Sequence, residues 1–319
     1  MGRLIDGRWM TDEGIRALPD GAWQRAPSLL RNWVTATGVA GPTGTGGFKA
    51  AAGRYHLYVA WNCPWAHRAL LTRVLKGLEE TVPISIAAPR RTDQGWVFDP
   101  ENGYEDRLFG ADALHEIYTR SDADYSGRVT VPVLWDTETE QIVSNESADI
   151  VRMLGTAFDG AGANSEDFYP VAQRPAIDAW NDRIHKTLNN GVYRAGFAEG
   201  QEAYSTAVAE VFETLDAIEA QLAETPYLAG DSLSEADIRL FPTLVRFDVA
   251  YWSAFKCNIR RLVDYPRLWA YARAFHRRPG IAETVHFDIY KRGYHSPSPK
   301  RNRFGIVPAG PVVDWSVAG

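Results

Sequence analysis

Asn62-Cys63-Pro64-Trp65-Ala66-His67-Arg68 directly follows the apolar run Tyr55-His56-Leu57-Tyr58-Val59-Ala60 and opens a helical run that ends at Gly77. An aromatic and β-branched run that stops at a turn is a strand signal. Proline is pre-organised for the first helical position, where the N–H has no intrahelical partner. The sequence therefore predicts strand, turn and helix, with Cys63 at the turn. A thiol placed there meets free N–H groups and the positive end of the helix dipole, a setting that favours the nucleophilic thiolate. A free cysteine is more commonly a small core residue, but the strand–Cys-Pro–helix context favours the reactive reading. Ala66 occupies the position of the second cysteine in a Cys-x-x-Cys dithiol, so a mixed disulfide at Cys63 needs a thiol from outside. Cys257 lies in Trp252-Ser253-Ala254-Phe255-Lys256-Cys257, has no Cys-Pro turn, and reads as structural.

Outward from this turn, Val82–Ala87 reads as a second strand and residues 89–128 as a long polar insertion. Val131–Trp135 and Gln141–Val143 read as a hairpin about the polar turn Asp136–Glu140. Ser147–Leu154 looks helical. This order is that of a thioredoxin-like domain, over residues 49–156, with a right-handed crossover between the first two strands. Residues 1–48 read as an irregular extension that ends in a glycine-rich link. After the linker Gly155–Asn164 the pattern changes to apolar residues at three- and four-residue spacing, over Ala176–Leu188, Glu202–Leu222, Glu235–Phe255 and Leu268–Arg277. Residues 168–290 are thus expected to form an all-helical domain, with Ser234 and Asp237 as a helix-start cap. Residues 291–319 read as an extended, basic tail. The fold class is α/β followed by all-α.

The chain has 319 residues, enough for two domains, and a net charge of −6, which argues against nucleic acid as a partner. No apolar leader and no 18-residue apolar run is visible, so no membrane span is expected. Two cysteines form no disulfide framework, which points to a reducing, cytoplasmic setting. The seven histidines show no metal-ligand spacing, and the chemistry read below needs neither a metal nor a nucleotide.

Further features belong with Cys63. In Thr130-Val131-Pro132-Val133 a proline enters a short strand, where a cis bond is favoured. In thioredoxin-like domains a cis-proline at this place faces the cysteine, and the residue before it offers N–H and C=O to a peptide-like ligand. The cysteinyl unit of glutathione fits that description. Ser144-Asn145-Glu146-Ser147 opens a helix, where free N–H groups receive a carboxylate and Glu146 takes an ammonium. The γ-glutamyl end of glutathione carries both. Trp96, in Gln94-Gly95-Trp96-Val97-Phe98, is an aromatic able to close over such a ligand.

With these residues in hand, the chain resembles the glutathione transferases and, within them, the xi class, the glutathionyl-hydroquinone reductases. The resemblance covers nearly the whole chain. It is carried by Cys63-Pro64-Trp65-Ala66, Arg128-Val129-Thr130-Val131, Glu146-Ser147, Gly191-Val192-Tyr193-Arg194-Ala195-Gly196-Phe197-Ala198 and Asp264-Tyr265-Pro266. It implies a thioredoxin-like domain plus a helical transferase domain, with Cys63 as nucleophile. Trp96, Arg128, Val129, Thr130, Val131, Glu146 and Ser147 would hold glutathione. Tyr193 would be the general acid/base, with Tyr251 and Tyr294 near the thiolate and the aromatic substrate. Glutathione would be the co-substrate, a small aromatic glutathione conjugate the substrate, and a homodimer the assembly. An omega-like thioltransferase or dehydroascorbate reductase, and a non-catalytic interaction module, are the alternatives. The insertion and the tyrosine set favour an aromatic substrate.

Overall fold

The computed structural model describes residues 2–11 and 18–316. The chain divides into two compact units, one from described residues 2–11 and 27–167, the other from 18–26 and 168–316. In the first unit, strands β1 (Arg3–Ile5) and β2 (Arg8–Met10) precede β3 (Tyr55–Val59), helix α1 (Pro64–Leu75) and β4 (Ile84–Ile86). Then come α2 (Leu114–Ser121), β5 (Gly127–Arg128), β6 (Val133–Asp136), β7 (Gln141–Ser144) and α3 (Ser147–Thr156). The main sheet has the order β4-β3-β6-β7. β3 is parallel to β4 and antiparallel to β6, and β6–β7 is an antiparallel hairpin. Every residue of β3 is buried, as a strand covered on both faces requires. This is the thioredoxin-like arrangement.

Residues 1–48 are not irregular throughout. Arg3–Met10 is a hairpin whose turn residues Asp6 and Gly7 have φ of 46° and 69°. Asp-Gly is the dipeptide that such a two-residue turn selects. β1 also pairs with β5, with Arg3 opposite Arg128. Residues 89–128, expected to be polar insertion alone, contribute both α2 and β5 to this unit.

Behind the main sheet lies a buried polar network. His56 Nε2 is 2.8 Å from Ser85 Oγ, and the Tyr58 hydroxyl donates to Asp106 at 3.0 Å. Asp106 also accepts the N–H groups of Leu108, Phe109 and Ala111, which fixes the loop before α2. Burial pushes His56 down to about 4, so it is neutral in the folded protein. At the far end of α1 the buried Lys76 ammonium donates to Asp159, the Asn164 carbonyl and the Glu166 carbonyl. Its three donors bind the linker to the domain.

The second unit comprises α4 (Arg174–Arg183), α5 (Gly191–Phe197), α6 (Gln201–Glu224), α7 (Glu235–Arg246), the short α8 (Trp252–Ala254), α9 (Pro266–His276) and α10 (Phe287–Tyr294). Two of the expected long helices are interrupted by wider π turns, at Ile184–Asn189 and Phe247–Tyr251. α7 starts as expected, with Asp237 reaching back to the Ser234 N–H at 2.9 Å. It also accepts the Tyr271 hydroxyl at 2.8 Å. The tail is not extended from residue 291. α10 runs through to Tyr294, supported by an Asp288–Arg292 pair one turn apart. Among the described residues no helix is long and apolar enough to cross a membrane.

Candidate active site

Cys63 is the N-cap of α1, with an extended backbone (φ −84°, ψ 117°) and Pro64 at the first helical position. Its N–H donates to the Ala60 carbonyl and its carbonyl accepts the His67 N–H, both at 3.0 Å. Main-chain bonds hold the turn, and the Cys63 side chain makes no cap bond to the helix, which leaves it available for chemistry. The half-buried thiol lies 3.5 Å from the Val131 carbonyl. Cys257 is fully buried, and burial pushes its thiol up to about 12, so it stays protonated.

The Val131–Pro132 peptide is cis. No acceptor among the described residues meets the Val131 N–H, so a peptide-like ligand finds both polar groups of the strand edge here. Its neighbour Thr130 is tied down instead. The buried Tyr118 hydroxyl donates to the Thr130 carbonyl at 2.9 Å and accepts the Thr130 N–H at 3.2 Å. It also accepts Asn145 Nδ2 at 3.1 Å. One donor and both lone pairs are used, so Tyr118 locks the segment before the cis-proline to the start of α3. The Tyr125 hydroxyl donates to the Arg128 carbonyl at 3.3 Å.

Glu146 is the N-cap of α3. Its Oε1 accepts the Ala148 N–H at 3.0 Å and the Ser147 hydroxyl at 3.4 Å, while Oε2 accepts the Ser28 hydroxyl at 2.9 Å. The expectation of free N–H groups awaiting a ligand carboxylate thus needs correction at Ala148. A carboxylate just before a helix reaches the second N–H of the first turn by itself. Ser28 and Arg31 were not anticipated as supports of this corner. Arg31 makes a two-pronged pair with Asp149 at 2.7 and 2.8 Å, and Leu30 exchanges hydrogen bonds with Asn145. Trp96 is 9% exposed and belongs to the core of this unit. The Arg91 guanidinium lies 5.3 Å from its ring centre.

The second unit brings Tyr193, Tyr251 and Tyr294 together from three elements. Tyr193 lies on α5, Tyr251 ends a π turn, and Tyr294 ends α10. The Tyr294 hydroxyl is 2.6 Å from that of Tyr193 and 3.1 Å from that of Tyr251. Phe255 stacks on Tyr251 with ring centres 5.5 Å apart and closes the cluster against Tyr193. Burial raises Tyr251 and Tyr294 well above the usual phenol range, so both carry their protons. Arg246, fully buried, sits 3.7 Å over the Tyr290 ring, one turn before Tyr294. No sequence motif pointed to Tyr118 or Arg246. Among the described residues no group of three or more His, Cys, Asp or Glu is arranged to hold a metal ion.

Comparison with known proteins identifies the family of the fold. Residues 62–157 match the glutathione S-transferase N-terminal domain and residues 201–274 the C-terminal domain. The chain is 49% identical to the glutathionyl-hydroquinone reductase YqjG of Escherichia coli, over 98% of this chain and 96% of that protein. The glutathione-bound structure of YqjG superposes with a TM-score of 0.88 at 50% identity, covering 91% of this chain and 95% of that one. The glutathionyl-hydroquinone reductase PcpF of Sphingobium chlorophenolicum is 45% identical, over 98% of this chain and 97% of its own. A xi-class glutathione transferase from Natrialba magadii superposes with a TM-score of 0.90 at 44% identity, covering 100% and 96% of the two chains.

Proposed function

The chain belongs to the xi-class glutathione transferases, and on that premise we propose that it is a glutathionyl-hydroquinone reductase with Cys63 as its nucleophile. The observation that carries this reading is the thiol at the start of α1, 3.5 Å from the Val131 carbonyl, with alanine at position 66. It pairs a reactive sulfur with a glutathione-like binding edge and leaves no internal resolving thiol.

The substrate is a hydroquinone joined to glutathione through an aryl thioether. Direct displacement at sulfur would expel an aryl carbanion, a very poor leaving group. Loss of a phenolic proton, with protonation of the ring carbon that bears sulfur, converts the ring to its ketone tautomer. The Cys63 thiolate then attacks the glutathione sulfur. The C–S electron pair flows into the ring as a phenolate, which takes up a proton and leaves as hydroquinone. The ring carbon has exchanged a bond to sulfur for a bond to hydrogen, and the two sulfurs are oxidised to a Cys63–glutathione disulfide. A second glutathione thiolate attacks this disulfide, frees Cys63 and departs as oxidised glutathione.

Tyr193 handles the ring protons. Like Tyr294 it is half-buried where Tyr251 is fully buried, so it is one of the two members of the cluster that a substrate hydroxyl reaches. Tyr251 and Tyr294, protonated, donate to oxyanion charge on the substrate. The Val131 edge pairs with the cysteinyl unit of glutathione, and Glu146 with Ser147 receives its γ-glutamyl end. Arg128, Val129, Thr130 and Trp96 complete the glutathione site. The enzyme works as a homodimer in the cytoplasm, where glutathione is abundant and reduced.

Two substrates test this assignment of Tyr193. A glutathionyl-hydroquinone needs proton transfer on its ring, while a small glutathione mixed disulfide needs only Cys63. Tyr193→Phe is expected to slow the first by about a hundredfold, the scale of a lost general acid/base. It should slow the second far less. Equal losses on the two substrates would remove Tyr193 from the proton step.

A further inference from the structure

Residues 18–26 leave the first unit and join the helical one. They are fastened there by main chain. The Glu199 N–H donates to the Gly21 carbonyl at 2.9 Å. Gly21 has φ of +78°, and a Cβ on it would stand 2.8 Å from the Gly200 nitrogen. Both the conformation and the close approach require glycine. A small turn holds the loop's own shape, through Gly21 N–H to the Leu18 carbonyl at 2.8 Å and Ala22 N–H to Asp20 at 2.9 Å.

This loop delivers one large side chain. Trp23 is 7% exposed, and its ring centre lies 6.0 Å from that of Tyr193 and 5.3 Å from that of Phe197. Phe197 is itself held from the C-terminal tail, with the Arg301 guanidinium 4.4 Å from its ring centre. Lys300 adds an ion pair to Glu199 in the same turn. Phe197, Tyr251, Phe255 and Tyr294 also lie beside the Tyr193 ring. Of these rings Trp23 comes from the N-terminal loop and the rest from the helical part of the unit. Next to Trp23, a cavity of about 300 Å³ is bounded by Asp20, Ala22, Arg194, Glu202 and Thr206. A ring that lost Trp23 would therefore have room to drift.

We propose that the loop 18–26 is a strap that orients Tyr193, and that Trp23 is a positioning residue for the ring-proton step. The proposal rests on the assignment of Tyr193 made above. A phenol hydroxyl moves in a wide arc for a small rotation of its ring, and a misplacement of about 1 Å is enough to slow a proton transfer steeply. The strap gives residues 18–26 a task in catalysis, beside the support that Ser28 and Arg31 of the same extension give the Glu146 corner.

The test uses the full chain with Trp23→Ala, Trp23→Phe, Tyr193→Phe and the double variant Trp23→Ala/Tyr193→Phe. Trp23→Ala is expected to lower kcat on a glutathionyl-hydroquinone by about tenfold to a hundredfold. Its kcat/KM on a glutathione mixed disulfide should stay within about twofold, and Trp23→Phe should recover most of the loss, because a ring still fills the space. In the double variant the two losses should not multiply, because Trp23 acts through Tyr193. Unchanged quinol turnover, equal losses on both substrates, or multiplying losses would each overturn the strap. A crystal structure of Trp23→Ala separates this from the catalytic reading. If the wild-type enzyme fails to turn over the quinol, the functional assignment falls. The strap is then judged by whether the Tyr193–Tyr294 hydroxyl contact is lost; an unmoved Tyr193 ring overturns it.

Discussion

At the scale of single residues, the chain separates two cysteines by their surroundings. Cys63 sits at a helix start with its side chain uncommitted to capping, and Cys257 is sealed in a core that keeps it protonated. Tyr118 shows how one hydroxyl organises a site it need not touch. It fills all its hydrogen-bonding capacity with Thr130 and Asn145, which belong to two different parts of the proposed glutathione frame. Tyr118→Phe leaves the Thr130 and Asn145 groups without that partner inside the protein. A loss of about 1–3 kcal/mol in unfolding free energy is expected. The KM for glutathione should rise by about fivefold or more, the factor equivalent to about 1 kcal/mol of lost organisation. Urea denaturation and glutathione titration of the rate check the two numbers. An unchanged KM would show that Thr130 and Asn145 do not depend on Tyr118.

At the scale of elements, β3 supplies both the lead-in to Cys63 and a buried histidine. His56 titrates near 6.5 in the unfolded chain and is held near 4 in the fold. Between these values the unfolded state takes up a proton that the folded state refuses. Stability therefore falls as pH drops from 6.5 toward 4, by about 3 kcal/mol at the low end. His56→Gln should remove most of that fall relative to wild type when unfolding is measured at pH 7 and pH 4.5. The other histidines are common to both proteins and cancel. Equal pH slopes would show that His56 is not the group responsible. Much of this architecture was legible in the sequence. The strand–Cys-Pro–helix turn, the β6–β7 hairpin and the Ser234–Asp237 cap each carry a local signal within a few residues. What was missed has long-range or subtle causes. The β1–β2 hairpin did have a local mark, Asp6-Gly7, but its pairing with β5 spans the domain. The π turns that end at Asn189 and Tyr251 look like ordinary helix in periodicity, because one extra residue per turn scarcely disturbs an apolar stripe. Glu146 was read toward a ligand alone, and its carboxylate also caps the helix it precedes and accepts the Ser28 hydroxyl.

At the scale of the whole molecule, the residues given roles in the proposed reaction fall in two units. Cys63, the Val131 edge and Glu146 belong to the unit that includes residues 27–167, and the tyrosine cluster to the helical unit. The N-terminal segment serves both, with Arg3 and Arg31 in the first and Trp23 in the second. The central claim is that Cys63 takes the glutathionyl group from the aromatic ring and that only an external thiol removes it. Intact-mass analysis of a single turnover tests it most directly. The enzyme is mixed with one equivalent of a glutathionyl-hydroquinone in the absence of free glutathione, and the released hydroquinone is quantified in the same sample. The account predicts one hydroquinone released per glutathionyl group gained, the adduct mapped to Cys63, and its removal when glutathione is added. Hydroquinone released without an adduct, an adduct that clears unaided, or one that maps to Cys257 would contradict it.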